Sequence, residues 1–289
     1  MYFCPVGQPR NDQLDASVRR TRIDNQRRWF PNMAEFIQYR HLTVMLGRRD
    51  ITVRYRQTVL GTLWIFTGPL VSAGLFSLVF GRVASLPSDG VPYFVFSYAG
   101  LLTWSLFSGI LSSISTSVAS SSALITKVYF PRLVVPFATL PSALLNTAIS
   151  FVVMLFLLAI SGVGFSLQIL VLPVWLLLAM ALSIGLGLIF TSAAVWYRDV
   201  NYLTPLLIQL LLFLSPVAYS LAAVPDSLHT LYLLNPLTTV EEGTRWSLLG
   251  GSALPPAWAI VYSFVVTTVT LVVGLAVFAR SERGFADVV

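Results

Sequence analysis

The chain has 289 residues, 56% of them hydrophobic and only 10% charged, with a formal net charge of +6. A soluble domain of this length is about one-quarter charged because its surface faces water, so these values, with a mean hydropathy of +0.79, exclude an ordinary soluble protein. The arginines lie between and before apolar runs, as the positive-inside rule expects. That arrangement argues for a membrane and against nucleic acid.

Residues 1–31 are polar and basic, with Arg19, Arg20, Arg22, Arg27 and Arg28 close together. They read as a cytoplasmic tail beside anionic lipid headgroups. No apolar core follows the start, so no cleaved signal peptide is expected. The single cysteine, Cys4, allows no intrachain disulfide. Over residues 32–59, Met33, Ile37, Val44 and Ile51 fall near one helical face, with Arg48, Arg49, Arg54 and Arg56 mostly off it and Arg40 intruding. This predicts an amphipathic helix in the cytoplasmic interface of the membrane.

Six apolar runs follow, at about 60–80, 93–113, 137–161, 169–195, 202–222 and 257–279, each near the length a helix needs to cross a bilayer. They frame one transmembrane domain over 60–281, with a short cytoplasmic tail at 282–289. An even number of spans puts both termini on one side. All eighteen basic residues except Arg82 and Arg245 then share that side, which makes it the cytoplasm. Between the second and third runs, 114–136 opens on serines and continues through apolar and aromatic residues to Pro131-Arg132. It reads as a loop holding a short helix that docks on something. The 223–256 stretch is rich in Leu, Tyr and Trp, and Pro225 and Pro236 cut it into pieces too short to span. A re-entrant hairpin fits, since irregular backbone at membrane depth needs shielding by protein; an ordinary apolar-faced loop is the alternative.

Absences narrow the function. None of the six runs contains Asp, Glu, Lys, Arg or His, so the proton relays and ion sites that membrane transporters build from ionisable groups have no material here. The two histidines, His41 and His229, fall on opposite sides of the predicted membrane, so no paired-histidine metal site is expected. A P-loop needs Gly-Lys followed by Ser or Thr. The sole lysine, Lys127, follows Thr126 and precedes Val128. Any ATP hydrolysis must come from another polypeptide.

Several segments carry a resemblance. Val53-Arg54-Tyr55-Arg56-Gln57-Thr58-Val59-Leu60-Gly61 with Leu63-Trp64 and Pro69-Leu70, then Phe80-Gly81-Arg82, Val91-Pro92-Tyr93 and Ala99-Gly100-Leu101-Leu102, resemble ABC-2-type polysaccharide export permeases. The most specific segment is Leu124-Ile125-Thr126-Lys127-Val128-Tyr129-Phe130-Pro131-Arg132, followed by Trp196-Tyr197-Arg198-Asp199-Val200. Ser215-Pro216-Val217-Ala218-Tyr219, Leu234-Asn235-Pro236 and Glu242-Gly243 with Arg245-Trp246 complete it, whereas Glu241 stands where the family usually has an apolar residue.

The resemblance implies an all-α fold of six transmembrane helices with an N-terminal interfacial helix and an external gate hairpin. It implies a homodimer joined to two copies of a P-loop ATPase, which would bind ATP and Mg, and a lipid-linked polysaccharide as cargo. The location would be the bacterial plasma membrane. Leu124, Ile125, Lys127, Tyr129, Phe130 and Arg132 would form the ATPase-coupling helix. Tyr219, Asn235, Glu242 and Arg245 would belong to the external gate, where an ion pair would hold two short helices together; a surface pair is the alternative. Arg198 and Asp199 read either as a headgroup anchor and a helix cap or as an ATPase contact.

Trp64, Tyr93, Phe94, Tyr98, Trp104 and Phe107 are candidates for a glycan path because sugars stack on aromatic rings, although aromatics also fill cores and interfacial belts. Gly61, Gly68, Ala73, Gly74, Ser183, Gly185 and Gly187 would permit close helix approach. A lipid or drug exporter of the same class remains an alternative. A membrane glycosyl- or acyltransferase is a weaker one, since Asp89, Asp226, Glu241 and Glu242 form no recognisable catalytic group.

Overall fold

The computed structural model describes residues 33–56, 63–127, 130–164, 166–250 and 253–282, with only the backbone at 54–56 and 63–66. The tail at 1–31, the interfacial-helix end at 57–59 and Gly61 lie outside the described residues, as do Tyr129 and the tail from Arg283 onward. Every regular element described is helical.

Helices α1 (Met33–Gln38) and α2 (Arg40–Arg56) cover the expected interfacial stretch, with a turn at Tyr39. The face docked on the bundle is not the expected apolar stripe, which an interfacial helix turns to the membrane. Leu46 and Gly47 are buried, and Phe36 meets Phe137 edge-on at 5.2 Å. Met33, Ile37 and Val44 face outward instead. A Cβ on Gly47 would lie 2.9 Å from the Pro141 ring, so glycine sets the depth of that contact.

Helix α3 (Leu63–Phe76) runs through Pro69 into a π-helical turn, Ser77–Val83. Helix α4 (Tyr93–Ser120) has 28 residues, about 42 Å at 1.5 Å per residue. It continues past the expected end near 113, because its serines bond back to the helix instead of opening a loop. Ser115, Ser117 and Ser120 donate to the carbonyls of Ser112, Ile114 and Ser117. Helix α5 (Ser122–Lys127) follows at once, then α6 (Val134–Ala138), α7 (Leu140–Ile160) and α8 (Leu172–Trp196). Pro141 and Pro173 sit in the first turns of α7 and α8, where a missing N–H costs nothing.

Helix α9 (Val200–Leu214) stops at an extended Ser215, short of the expected 222, so Ser215–Ser220 turn back into the bundle. Its N-terminal Asp199 makes no side-chain cap, contrary to one reading of the sequence. Helices α10 (Asp226–Leu233), α11 (Pro236–Leu249) and α12 (Ala257–Ser281) complete the chain.

Among the described residues, four stretches are long and apolar enough to cross a membrane: Tyr93–Ser120, Val134–Ile160, Leu167–Trp196 and Ala257–Ser281. Thr67–Val83 and Val200–Leu214 are apolar but shorter. Helix α4 is mostly buried and α12 little buried, so α4 is the central post and α12 an outer one. Helix α8 packs on both. Gly187 lies against Ile114 of α4, and Gly185 against the Thr270 backbone of α12. The small residues of the fourth apolar run therefore make contacts inside this bundle. Two apolar clusters stack along α4, one from Val95 to Leu111 and one from Leu106 to Val118.

Candidate functional site

The most unusual element is α11. Asn235 caps its start, with Oδ1 accepting from the Leu237 N–H at 3.1 Å, and Pro236 follows in the first turn. Gly250 ends it at φ 66°, the left-handed position glycine adopts without strain. Between these caps, Thr238, Thr239, Glu241, Glu242, Thr244, Arg245 and Ser247 are all buried. The helix wedges among α4, α8 and α12, so its polar residues meet protein on every side.

Arg245 is fully buried and organises the region. A guanidinium cannot shed its proton, so its charge must be met locally. Nη1 donates to Glu242 Oε1 at 3.0 Å and to the Tyr219 carbonyl at 3.1 Å. Nη2 donates to the Val217 carbonyl at 2.7 Å. The guanidinium carbon sits 4.1 Å from the centre of the Phe96 ring, within cation–π range. Arg245 and Glu242 belong to one helix, three residues apart. What the arginine joins to α11 is therefore the returning Ser215–Ser220 loop, through its carbonyls, and not a second short helix. Gly100 makes room: a Cβ there would lie 2.5 Å from the Val217 carbonyl oxygen.

Other bonds tie the same loop down. Asn235 Nδ2 donates to Ser215 Oγ at 2.9 Å, and Tyr93 Oη donates to the Ala218 carbonyl at 2.8 Å. Tyr219 Oη donates to the Phe213 carbonyl and lies 3.1 Å from Tyr232 Oη. Thus all four expected gate residues, with Tyr93, converge on one loop. Beside them a cleft of about 450 Å³ is lined by Asp89, Ser220, His229, Glu242 and Leu254. Asp89 Oδ1 accepts there from Ser220 Oγ at 3.1 Å.

Glu241 is the discordant residue. It is wholly buried, and neither carboxyl oxygen has a hydrogen-bond partner among the described residues. Burial pushes it well above the usual carboxylate range, and the nearby Arg245 pulls back only in part.

At the other end of α4 lies the α5 segment. Leu124 is half-buried, Ile125 buried and Lys127 exposed. Phe130 is 5% exposed, inside the apolar cluster with Ile125, Leu133 and Phe278. It is a core residue here, whereas an ATPase-coupling helix would hold its aromatic on the surface. Arg132 is half-buried, and its backbone N–H donates to Glu282 Oε1 at 2.9 Å. Arg198 and Asp199 are exposed after α8. Of the aromatic candidates, Tyr98, Trp104 and Phe107 are buried along α4 and Tyr93 and Phe94 half-buried. Only the backbone of Trp64 is described.

Sequence reasoning missed the carbonyls of Val217 and Tyr219, Gly100 as the seat of Arg245, and Glu282. It also missed Trp175, whose indole N–H donates to Ser247 Oγ at 3.1 Å while the ring covers Gly243. A glycine inside an apolar helix, as at Gly100, was the one available signal.

A bundle with four bilayer-length helices among its described residues, and a polar helix wedged among them, is a multi-pass membrane protein. Residues 41–249 match the family model described as ABC-2 type transporter, and the chain belongs to that family. It is 29% identical over 255 residues to the O-antigen export system permease protein RfbA of Myxococcus xanthus, covering 88% of this chain and 97% of the relative. A Klebsiella pneumoniae protein of the same name is 26% identical over 250 residues, 86% of this chain and 94% of the relative. The polysialic acid transport protein KpsM of Escherichia coli is 29% identical over 245 residues, 81% and 91%.

Proposed function

We propose that the chain is the permease subunit of an ABC exporter that carries a lipid-linked cell-envelope polysaccharide across the bacterial plasma membrane. The observation that carries this reading is the collinear likeness, over most of both chains, to relatives named for O-antigen export and polysialic acid transport. ATP and Mg²⁺ are handled by a separate ATPase subunit, two copies of which join a homodimer of this chain. The α3 stretch with its π turn, and α9, serve as two further crossings beside the four long ones. Both termini are cytoplasmic, the α5 segment with Arg198 and Asp199 faces the ATPase, and α10–α11 form the external gate. Arg245 holds that gate to the loop after α9.

Deletion of the gene is expected to abolish surface polysaccharide and leave lipid-linked polymer inside the cell. Affinity capture of the chain should retrieve a P-loop ATPase. Normal surface polysaccharide in the deletion strain would overturn the proposal.

A further inference from the structure

Helix α12 touches both functional ends. At its last turn stands Glu282, an anion beside the partial negative charge of a helix C-terminus, where a carboxylate is unfavourable. Its position is explained by what it binds: Oε1 accepts the Arg132 N–H at 2.9 Å, just after the α5 segment. Phe278, fully buried one turn earlier, packs into the cluster that holds Phe130 and Leu133. The end of α12 is thus fixed to the α5 segment by a charge-assisted bond with apolar packing behind it.

Further along, α12 crosses α8 backbone on backbone. A Cβ on Gly274 would lie 2.4 Å from the Gly185 carbonyl oxygen, and one on Gly185 would lie 2.7 Å from that of Thr270. No side chain separates the helices there, so the two backbones touch at this crossing within a longer α8–α12 packing. Beyond the crossing, Ser263 Oγ donates to the Pro236 carbonyl at 3.4 Å, at the first residue of α11. Ala259, Ser263 and Thr267 are buried on this side. From Gly274 the two arms reach about 12 Å to Glu282 and about 16 Å to Ser263 at 1.5 Å per residue.

We propose that α12 is a lever pivoting on the Gly185–Gly274 crossing, and that Glu282 is the positioning residue linking ATPase-driven motion of the α5 segment to α11. This rests on the export reading above. A rigid element contacted at both sites is one carrier of such coupling, and α12 is one unbroken helix of 25 residues.

The test compares wild-type, Glu282→Ala and Glu282→Gln complexes for three quantities: ATPase co-purification, ATP hydrolysis, and surface polysaccharide per ATP hydrolysed. In Glu282→Ala the ATPase should co-purify and hydrolyse ATP within about twofold of wild type, while export per ATP falls about tenfold, the order expected for loss of a bond to a charged group. Glu282→Gln keeps an accepting oxygen and should recover most of the export. Unchanged export per ATP in Glu282→Ala overturns the assignment. So does loss of ATPase co-purification, which marks a docking role, or a Gln variant as impaired as the Ala variant. If Glu282→Ala fails to accumulate, Ser263→Ala decides, since it lies on the far arm: unchanged export per ATP there overturns the lever, and a clear fall with intact co-purification supports it. Failure of the export reading itself would show in the wild-type complex, before any variant is compared.

Discussion

Helix α11 and the segment from α5 to Arg132 are both short, lie outside the four long apolar stretches, and sit near opposite ends of α4. They bury opposite kinds of residue. The α5 segment puts Ile125, Phe130 and Leu133 inside and leaves Thr126 and Lys127 exposed, as any amphipathic surface element would. Helix α11 puts Glu241, Glu242, Arg245 and its threonines inside. Apolar packing holds an element in place yet tolerates small shifts, whereas hydrogen bonds to a buried guanidinium define one arrangement and are costly to leave half-made. The α5 end is therefore held mainly by apolar packing, and the α11 end by polar bonds that must break together.

The largest effect expected from this contrast is at Arg245. Arg245→Ala leaves the Glu242 carboxylate and two loop carbonyls without their donor in a buried site, and removing one partner of a buried ion pair costs about 3–5 kcal/mol. The melting temperature in detergent should drop steeply and export should be lost. Arg245→Lys should not rescue it, because one ammonium on a flexible stem cannot hold Glu242, Val217 and Tyr219 in the geometry of a planar fork. A lysine variant with wild-type stability and export would break the clamp account.

Next in size is Phe130→Ala. With Phe130 in the core, truncation leaves a cavity and costs about 3–5 kcal/mol of stability. Its signature differs from that of a docking residue: thermal stability falls first, and ATPase capture falls only in proportion to folded protein. A variant of normal stability that fails to capture the ATPase would return Phe130 to the surface role expected from its sequence context.

These two residues also show what the sequence could and could not reveal. The long apolar helices were legible because continuous apolar runs near bilayer length have few other uses. Their ends were not. The serines after Ile114 read as a loop opening, but serine hydroxyls bonding back to the helix let α4 run on to Ser120. Pro216 fell inside a predicted span, and the chain instead turns at Ser215. The convergence of Tyr219, Asn235, Glu242 and Arg245 was legible as a group through the resemblance. Their mode of contact was not, because backbone carbonyls supply most of it and carry no residue-type signal. Phe130 was misplaced for a related reason: an aromatic next to a proline looks the same whether a partner or its own bundle covers it.

A smaller effect of opposite sign is expected at Glu241. Its carboxyl is buried without a partner, so Glu241→Leu removes a desolvation cost and should raise stability by about 1–3 kcal/mol. The pH dependence has a definite sign. Burial raises the folded-state pKa above the ordinary 4.5, so the folded chain keeps this proton while the unfolded chain releases it. Wild-type stability should therefore fall relative to Glu241→Leu as pH rises above about 4.5. Parallel melting curves for the two proteins across pH would remove Glu241 as a source of strain.

The smallest effect is expected at Lys127, and it sharpens the comparison most. Lys127 is exposed at the end of α5, so Lys127→Ala should change stability by less than about 0.5 kcal/mol, as surface substitutions usually do. If the α5 end meets the ATPase, the lysine lies at the rim of that contact, where charges mainly tune association rate and its salt dependence. Capture of the ATPase by Lys127→Ala should thus weaken modestly at low salt and match wild type as ionic strength rises, since screening removes the wild-type advantage. Lys127→Glu should reverse the charge term and weaken capture further at low salt, again with unchanged melting. If Lys127→Ala and Lys127→Glu capture the ATPase as wild type does at every salt concentration, the exposed face of α5 is not in the contact. The α5 end of the bundle would then have to meet an ATPase through other exposed residues, with Arg198 and Asp199 next to be tested.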